Sequence, residues 1–168
     1  MLSEHFGSTV GHLMSEFTES KSKSTSKSWI WKCKHLDYLF PKLIITTRWH
    51  ANLPNDRPVF ILDTKANHLT CIYNRDGIWY FIDSNAGPPP TLAMPCICYP
   101  KHAVNTKVDG RGQCLPWTVF FLMILMTKGP VDYTIVPKTV LMDLFQNFCH
   151  NIQILCSEPP QPSYFDHT

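Results

Sequence analysis

Apolar positions along this chain fall into short runs between Val59 and Ile82 and then into one long run, Trp117–Met126. Three of the short runs, Pro58–Thr64, His68–Asn74 and Ile78–Ser84, are rich in β-branched and aromatic residues and predict strands. Asn74-Arg75-Asp76-Gly77 separates the second from the third. Its Asp-Gly pair suits a hairpin turn with positive φ angles, so these two strands are expected to pair antiparallel. Asn85-Ala86-Gly87-Pro88-Pro89-Pro90 ends the third strand. Cys96–Tyr99 predicts a further short strand, and Asp37–Leu43 a short helix or turn ended by Pro41.

The long run has no polar side, which fits a helix buried in a core. It predicts a helix from about Leu115 to Met126, stopped by Lys128-Gly129-Pro130. At this length it falls short of the roughly 20 apolar residues that cross a bilayer. A second helix is predicted from Lys138 to about Ile154, with Val140, Leu141, Leu144, Phe145 and Phe148 on one face. The sum is an α+β domain with a central sheet that contains antiparallel strands.

Composition changes this picture only at the ends. Ser and Lys alternate through Ser20–Ser28, a stretch with nothing to bury, so residues 1–28 read as a flexible arm. Residues 29–156 form the expected domain, and 157–168 a loose tail containing Pro159, Pro160 and Pro162. Hydrophobic residues make up 44% and charged residues 17%, as expected of a chain that is mostly globular. A net charge of +2 is too small to mark a nucleic-acid binder, although the lysines of the arm offer a weak DNA contact. Met1–Thr18 is polar and broken by Glu4, His5 and Glu16, unlike a secretory signal. The seven cysteines are therefore expected to be reduced and intracellular.

One cysteine stands apart. Cys114 follows Gly110-Arg111-Gly112-Gln113 and heads the buried helix, where the helix dipole favours a thiolate. Upstream, His68 opens one strand of the hairpin and Asp83 closes its partner, at nearly equal distances from the turn. Folding at Asp76-Gly77 then makes the two side chains cross-strand neighbours. A carboxylate on one imidazole nitrogen leaves the other to take a proton from a thiol. The remaining cysteines carry no such context. Cys71, Cys149 and Cys156 read as packing residues. Cys33-Lys34-His35 and Cys96-Ile97-Cys98 with His102 lack the C-x₂-C spacing of a zinc site.

The residues Asn67–Tyr73, Trp79–Ser84, Gly112-Gln113-Cys114 and Phe120-Phe121-Leu122 resemble the adenovirus endopeptidase (adenain) family of cysteine proteases, relatives of the SUMO-deconjugating enzymes. The resemblance covers about Pro58 to Met126. It implies a papain-like, adenain-like fold in which His68 is the general base, Asp83 the orienting acid and Cys114 the nucleophile. It further implies a viral thiol endopeptidase that cleaves viral precursor proteins after small residues during virion maturation, in the host nucleus and the virion. No cofactor is required by the sequence. The resemblance allows an activating DNA or an activating viral peptide, bridged through Cys98 or Cys33. An isopeptidase for ubiquitin-like proteins and an inactive virion or interaction protein of the same fold are the alternatives. Departures from the family pattern are Leu69 where it has Trp, Leu115 where it has Gly, and Lys107 and Val108 where it has an oxyanion-hole Gln. Gln113, Asn105 or backbone donors alone remain as the means of completing that hole.

Overall fold

A hairpin turns at the exposed Asp76-Gly77 and supplies two neighbouring strands of the sheet. Both turn residues have positive φ (55° and 83°), the conformation that lets a two-residue loop follow the twist of its strands. The computed structural model describes residues 36, 39–49, 52–63, 65–66, 68–90, 94–104 and 114–157, the last five through their backbone alone. Five strands lie side by side in chain order: β1 (Ile44–Thr46), β2 (Val59–Asp63), β3 (His68–Arg75), β4 (Ile78–Ile82) and β5 (Ile97–Tyr99). The β2–β3 and β3–β4 pairs are antiparallel, whereas β1 runs parallel to β2 and β5 parallel to β4. The sheet is thus mixed, antiparallel at its centre and parallel at both edges. β1 is absent from the sequence expectation because three residues beside Pro41 carry no readable period.

Two helices follow the sheet, α1 (Cys114–Lys128) and α2 (Lys138–Ser157). α1 starts one residue earlier than predicted, at Cys114 itself, and is buried without a break from Cys114 to Leu122. Phe60, Leu62, Leu69, Cys71, Tyr80, Ile82 and Tyr99 of the sheet form one core with it. The Trp117 ring stacks on Phe145 of α2 at 3.7 Å and 4°. On the other side of the sheet Ile44, Val59, Ile61 and Ile72 make a smaller cluster, covered by Trp49, Leu53 and Met94. β2 is therefore buried on both faces, which accounts for its unbroken apolar run.

The face assigned to α2 needs correction. Leu141, Phe145, Cys149 and Ile152 are buried, but Val140 and Leu144 are 45% and 51% exposed. Each lies one residue, about 100° of rotation, from the true stripe. Apolar character alone placed them inside. The arm and the segment 158–168 lie outside the described residues, as do residues 37 and 38 of the predicted Asp37–Leu43 element. No helix among the described residues is long and apolar enough to cross a membrane.

Both ends of α1 are tied to β3. Near its start the Thr118 hydroxyl donates to Cys114 O (2.6 Å) and lies 3.4 Å from Leu69 O. At its finish Arg75 Nε donates to Leu125 O (3.1 Å), and Gly129, with φ of 89°, returns its N–H to Ile124 O and Leu125 O. The helix consequently runs alongside β3 in the same direction, with Cys114 at the end where His68 begins the strand.

Candidate active site

Strand alternation sets the first two members of the site. In β3, Leu69 and Cys71 face α1, and His68 is the strand's first residue, half-buried at its end. The β3–β4 register pairs Cys71 with Ile82. Continuing it by one residue puts Asp83 opposite Thr70, two residues from His68. The two are diagonal neighbours across the hairpin. A diagonal separation of about 7–8 Å between backbones is within reach of an imidazole and a carboxylate. His68 Nε2 donates to Asp83 Oδ1 at 2.8 Å.

The chain bends immediately after β4, and that bend holds the acid. Asp83 N still donates to Tyr99 O, extending the edge pairing by one bond. Its side chain turns back over its own loop, where Asn85 N donates to Oδ1 at 2.9 Å. Burial pushes the Asp83 carboxyl up, but hydrogen bonds from His68 and from the backbone N–H groups of Asn85 and Gly87 outweigh it and hold the group below the ordinary carboxylate range. The acid stays charged.

Cys114 completes the cluster from the third element. Its side chain hydrogen-bonds with His68. Since Nε2 is occupied by Asp83, the ring presents Nδ1 to the thiol. The hydrogen bond with Asp83 first, and that with Cys114 second, raise the His68 pKa from 6.5 to about 9 against the opposing effect of burial. The imidazole is accordingly protonated at neutral pH, between a carboxylate on one side and the thiol on the other. Pro116 fits the first turn because N–H groups there have no intrahelical acceptor to lose.

Comparisons with protein-family models, with curated proteins and with solved structures found no match to this chain.

The other cysteines meet different surroundings. Cys71 is fully buried and burial pushes its thiol far up, while Cys149 is pushed up to about 12 by the same cause. Cys96 is raised by burial and then by the nearby Cys98. None of these has the histidine that Cys114 has. Cys33 and the side chain of Cys156 lie outside the described residues, and so do Asn105 and Gln113, the two side chains considered for the oxyanion hole. Among the described residues no group of three or more His, Cys, Asp or Glu is placed to hold a metal ion.

A cavity of about 610 Å³ lies on the helix side of β5, lined by Tyr80, Tyr99, Trp117, Tyr133, Leu141 and Met142 among others. His68, Asp83 and Cys114 do not line it. Its walls are mainly apolar and aromatic, with Cys98, Lys101, His102, Asp132 and Lys138 among them.

His68, Asp83 and Cys114 are brought together, beside contacts that no sequence expectation covered. Thr118 sits between the first turn of α1 and β3, and Ser84 O accepts from Val104 N (3.2 Å) where the chain departs toward residues 105–113. An Asp two residues before an Asn was a signal for a side chain folded over its own loop.

Proposed function

We propose that this protein is a cysteine endopeptidase that uses Cys114 as nucleophile, His68 as acid and base, and Asp83 to orient the imidazole. One observation carries the reading: His68 joins a charged carboxylate at 2.8 Å to the thiol at the head of a buried helix. In this reading the resting pair is a thiolate and an imidazolium, a state favoured by the raised imidazole pKa and by the thiol's place at a helix N-terminus.

The thiolate adds to the carbonyl carbon of a peptide bond, and the developing oxyanion takes the Cys114 backbone N–H as a donor. His68 then gives its Nδ1 proton to the amide nitrogen, the C–N bond breaks, and the amine leaves. A thioester to Cys114 remains. Water attacks it while His68 accepts a proton, and the carboxylic acid departs as the thiolate is restored. Asp83 keeps its charge throughout and holds Nε2–H so that Nδ1 faces the sulfur. The resemblance to adenain-like enzymes extends the reading to the same fold, and to viral precursor proteins cut after small residues during virion maturation.

A pool of peptides containing glycine at many positions, digested with the full chain and read by mass spectrometry, tests the reading. The wild type is expected to generate new N termini and Cys114→Ala none. Equal cleavage by the two proteins would contradict it.

A further inference from the structure

Gly87 lies in the loop that holds the acid, and nothing in its own backbone requires a glycine. Its φ is not in the positive range, unlike those of Gly77 and Gly129. Alanine would fit this backbone without strain. What it would not fit is the carboxylate. A Cβ on Gly87 would lie 2.7 Å from Asp83 Oδ2, well inside the separation at which a Cβ is found from any non-bonded atom.

We propose that Gly87 is a positioning residue, whose missing side chain leaves the space in which Asp83 Oδ2 sits and so keeps Oδ1 on His68 Nε2. The inference rests on the protease reading for its consequence in turnover, but its geometric content is independent of it. Asp83 has little room to yield. Its side chain is 10% exposed, Oδ1 is fixed by His68 Nε2 and Asn85 N, and the Gly87 N–H also bonds the carboxylate. A shift large enough to admit a Cβ moves Oδ1 away from the imidazole. Asp83 would then lose part of its hold on the ring, and Nδ1 its alignment with the Cys114 sulfur.

The test is Gly87→Ala in the full chain, with the His68 imidazole followed by NMR titration and peptide turnover measured beside it. The imidazole titration midpoint is expected to fall by a unit or more from about 9. Turnover is expected to fall about 10-fold or more with KM changed less than about twofold, as for a residue that acts on the chemical step. In an Asp83→Ala background the same alanine is expected to change neither quantity, because the atom it displaces is gone. Should Gly87→Ala fail to fold, the Asp83→Ala, Gly87→Ala double variant is expected to fold. An unchanged His68 midpoint in a folded Gly87→Ala protein would overturn the proposal, as would a double variant that also fails to fold. If no form cleaves peptide yet the midpoint falls, the protease reading fails and the positioning role stands.

Discussion

The two ends of α1 rest on the same strand and are held in opposite ways. At the N-terminal end, where main-chain N–H groups point outward, the helix meets Cys114, His68 and Asp83. At the C-terminal end, where carbonyls point outward, Arg75 donates to Leu125 O and Gly129 closes the last turn. At the C-terminal end the Arg75 cation has the sign that complements the dipole. The two ends differ in what they hold. Arg75 donates to a main-chain oxygen and lies 3.9 Å from the Asp76 carboxylate, whereas at the other end a carboxylate and a thiol flank a titratable ring. One end fastens the helix, and the other uses the fastening to hold a thiol against an imidazole.

Damage to the two ends should therefore have separable consequences. The largest effect is expected from His68→Ala, which removes the group that moves the proton. Peptide turnover should fall by about 10⁴–10⁶-fold in a protein with an unchanged circular dichroism spectrum. Asp83→Asn should cost less, about 10²–10⁴-fold, and leave a measurable remnant, because the acid orients the ring without making or breaking bonds. NMR titration of that variant should show the His68 midpoint falling, since the bond to Asp83 is the main cause of its elevation.

At the other end the order reverses. Arg75→Met should lower stability by about 0.5–1.5 kcal/mol, the worth of a hydrogen bond and a helix-end cation, and leave turnover within about twofold. Gly129→Ala should cost about 1–2 kcal/mol because its positive φ strains any side chain. Urea titration reads both. A turnover loss in either variant as large as that of Asp83→Asn would mean that the two ends are not separable.

The pH dependence of stability sharpens the same contrast. His68 has a pKa raised on folding, so its interaction with Asp83 stabilises fully below the ordinary imidazole value of 6.5 and is lost as pH rises through about 9. Wild-type stability should accordingly decline across that window, and His68→Ala should flatten the decline. Arg75→Met should leave the slope unchanged. Urea unfolding at pH 6, 7.5 and 9 measures all three.

The hairpin was legible because Asp76-Gly77 names its own turn type and the flanking runs are aromatic and β-branched. The buried helix was legible because Cys114–Leu122 carries no charge on any side. From these two features the meeting of His68, Asp83 and Cys114 follows. Three things did not follow. β1 has three residues and is stabilised by pairing with β2, a contact remote from its local sequence. The buried face of α2 depended on where Trp117 and Phe120 present their rings to Phe145 and Phe148, so Val140 and Leu144 looked as eligible as Leu141. The diagonal placement of Asp83 depended on the strand register, which equal distances from a turn fix only to within a residue or two.

The central claim is that His68 makes Cys114 a thiolate at a pH where other thiols are protonated, and site-resolved alkylation tests it most directly. The full chain is treated with iodoacetamide at pH 6 and the rate at each cysteine is read by mass spectrometry, for wild type and His68→Ala. Exposure alone favours Cys96 and Cys98, which are partly exposed, over Cys114, which is only 4% exposed. The account predicts the reverse: Cys114 reacts first in the wild type and loses its lead in His68→Ala. Labelling that simply follows exposure, or a Cys114 rate that is the same in both proteins, would contradict it.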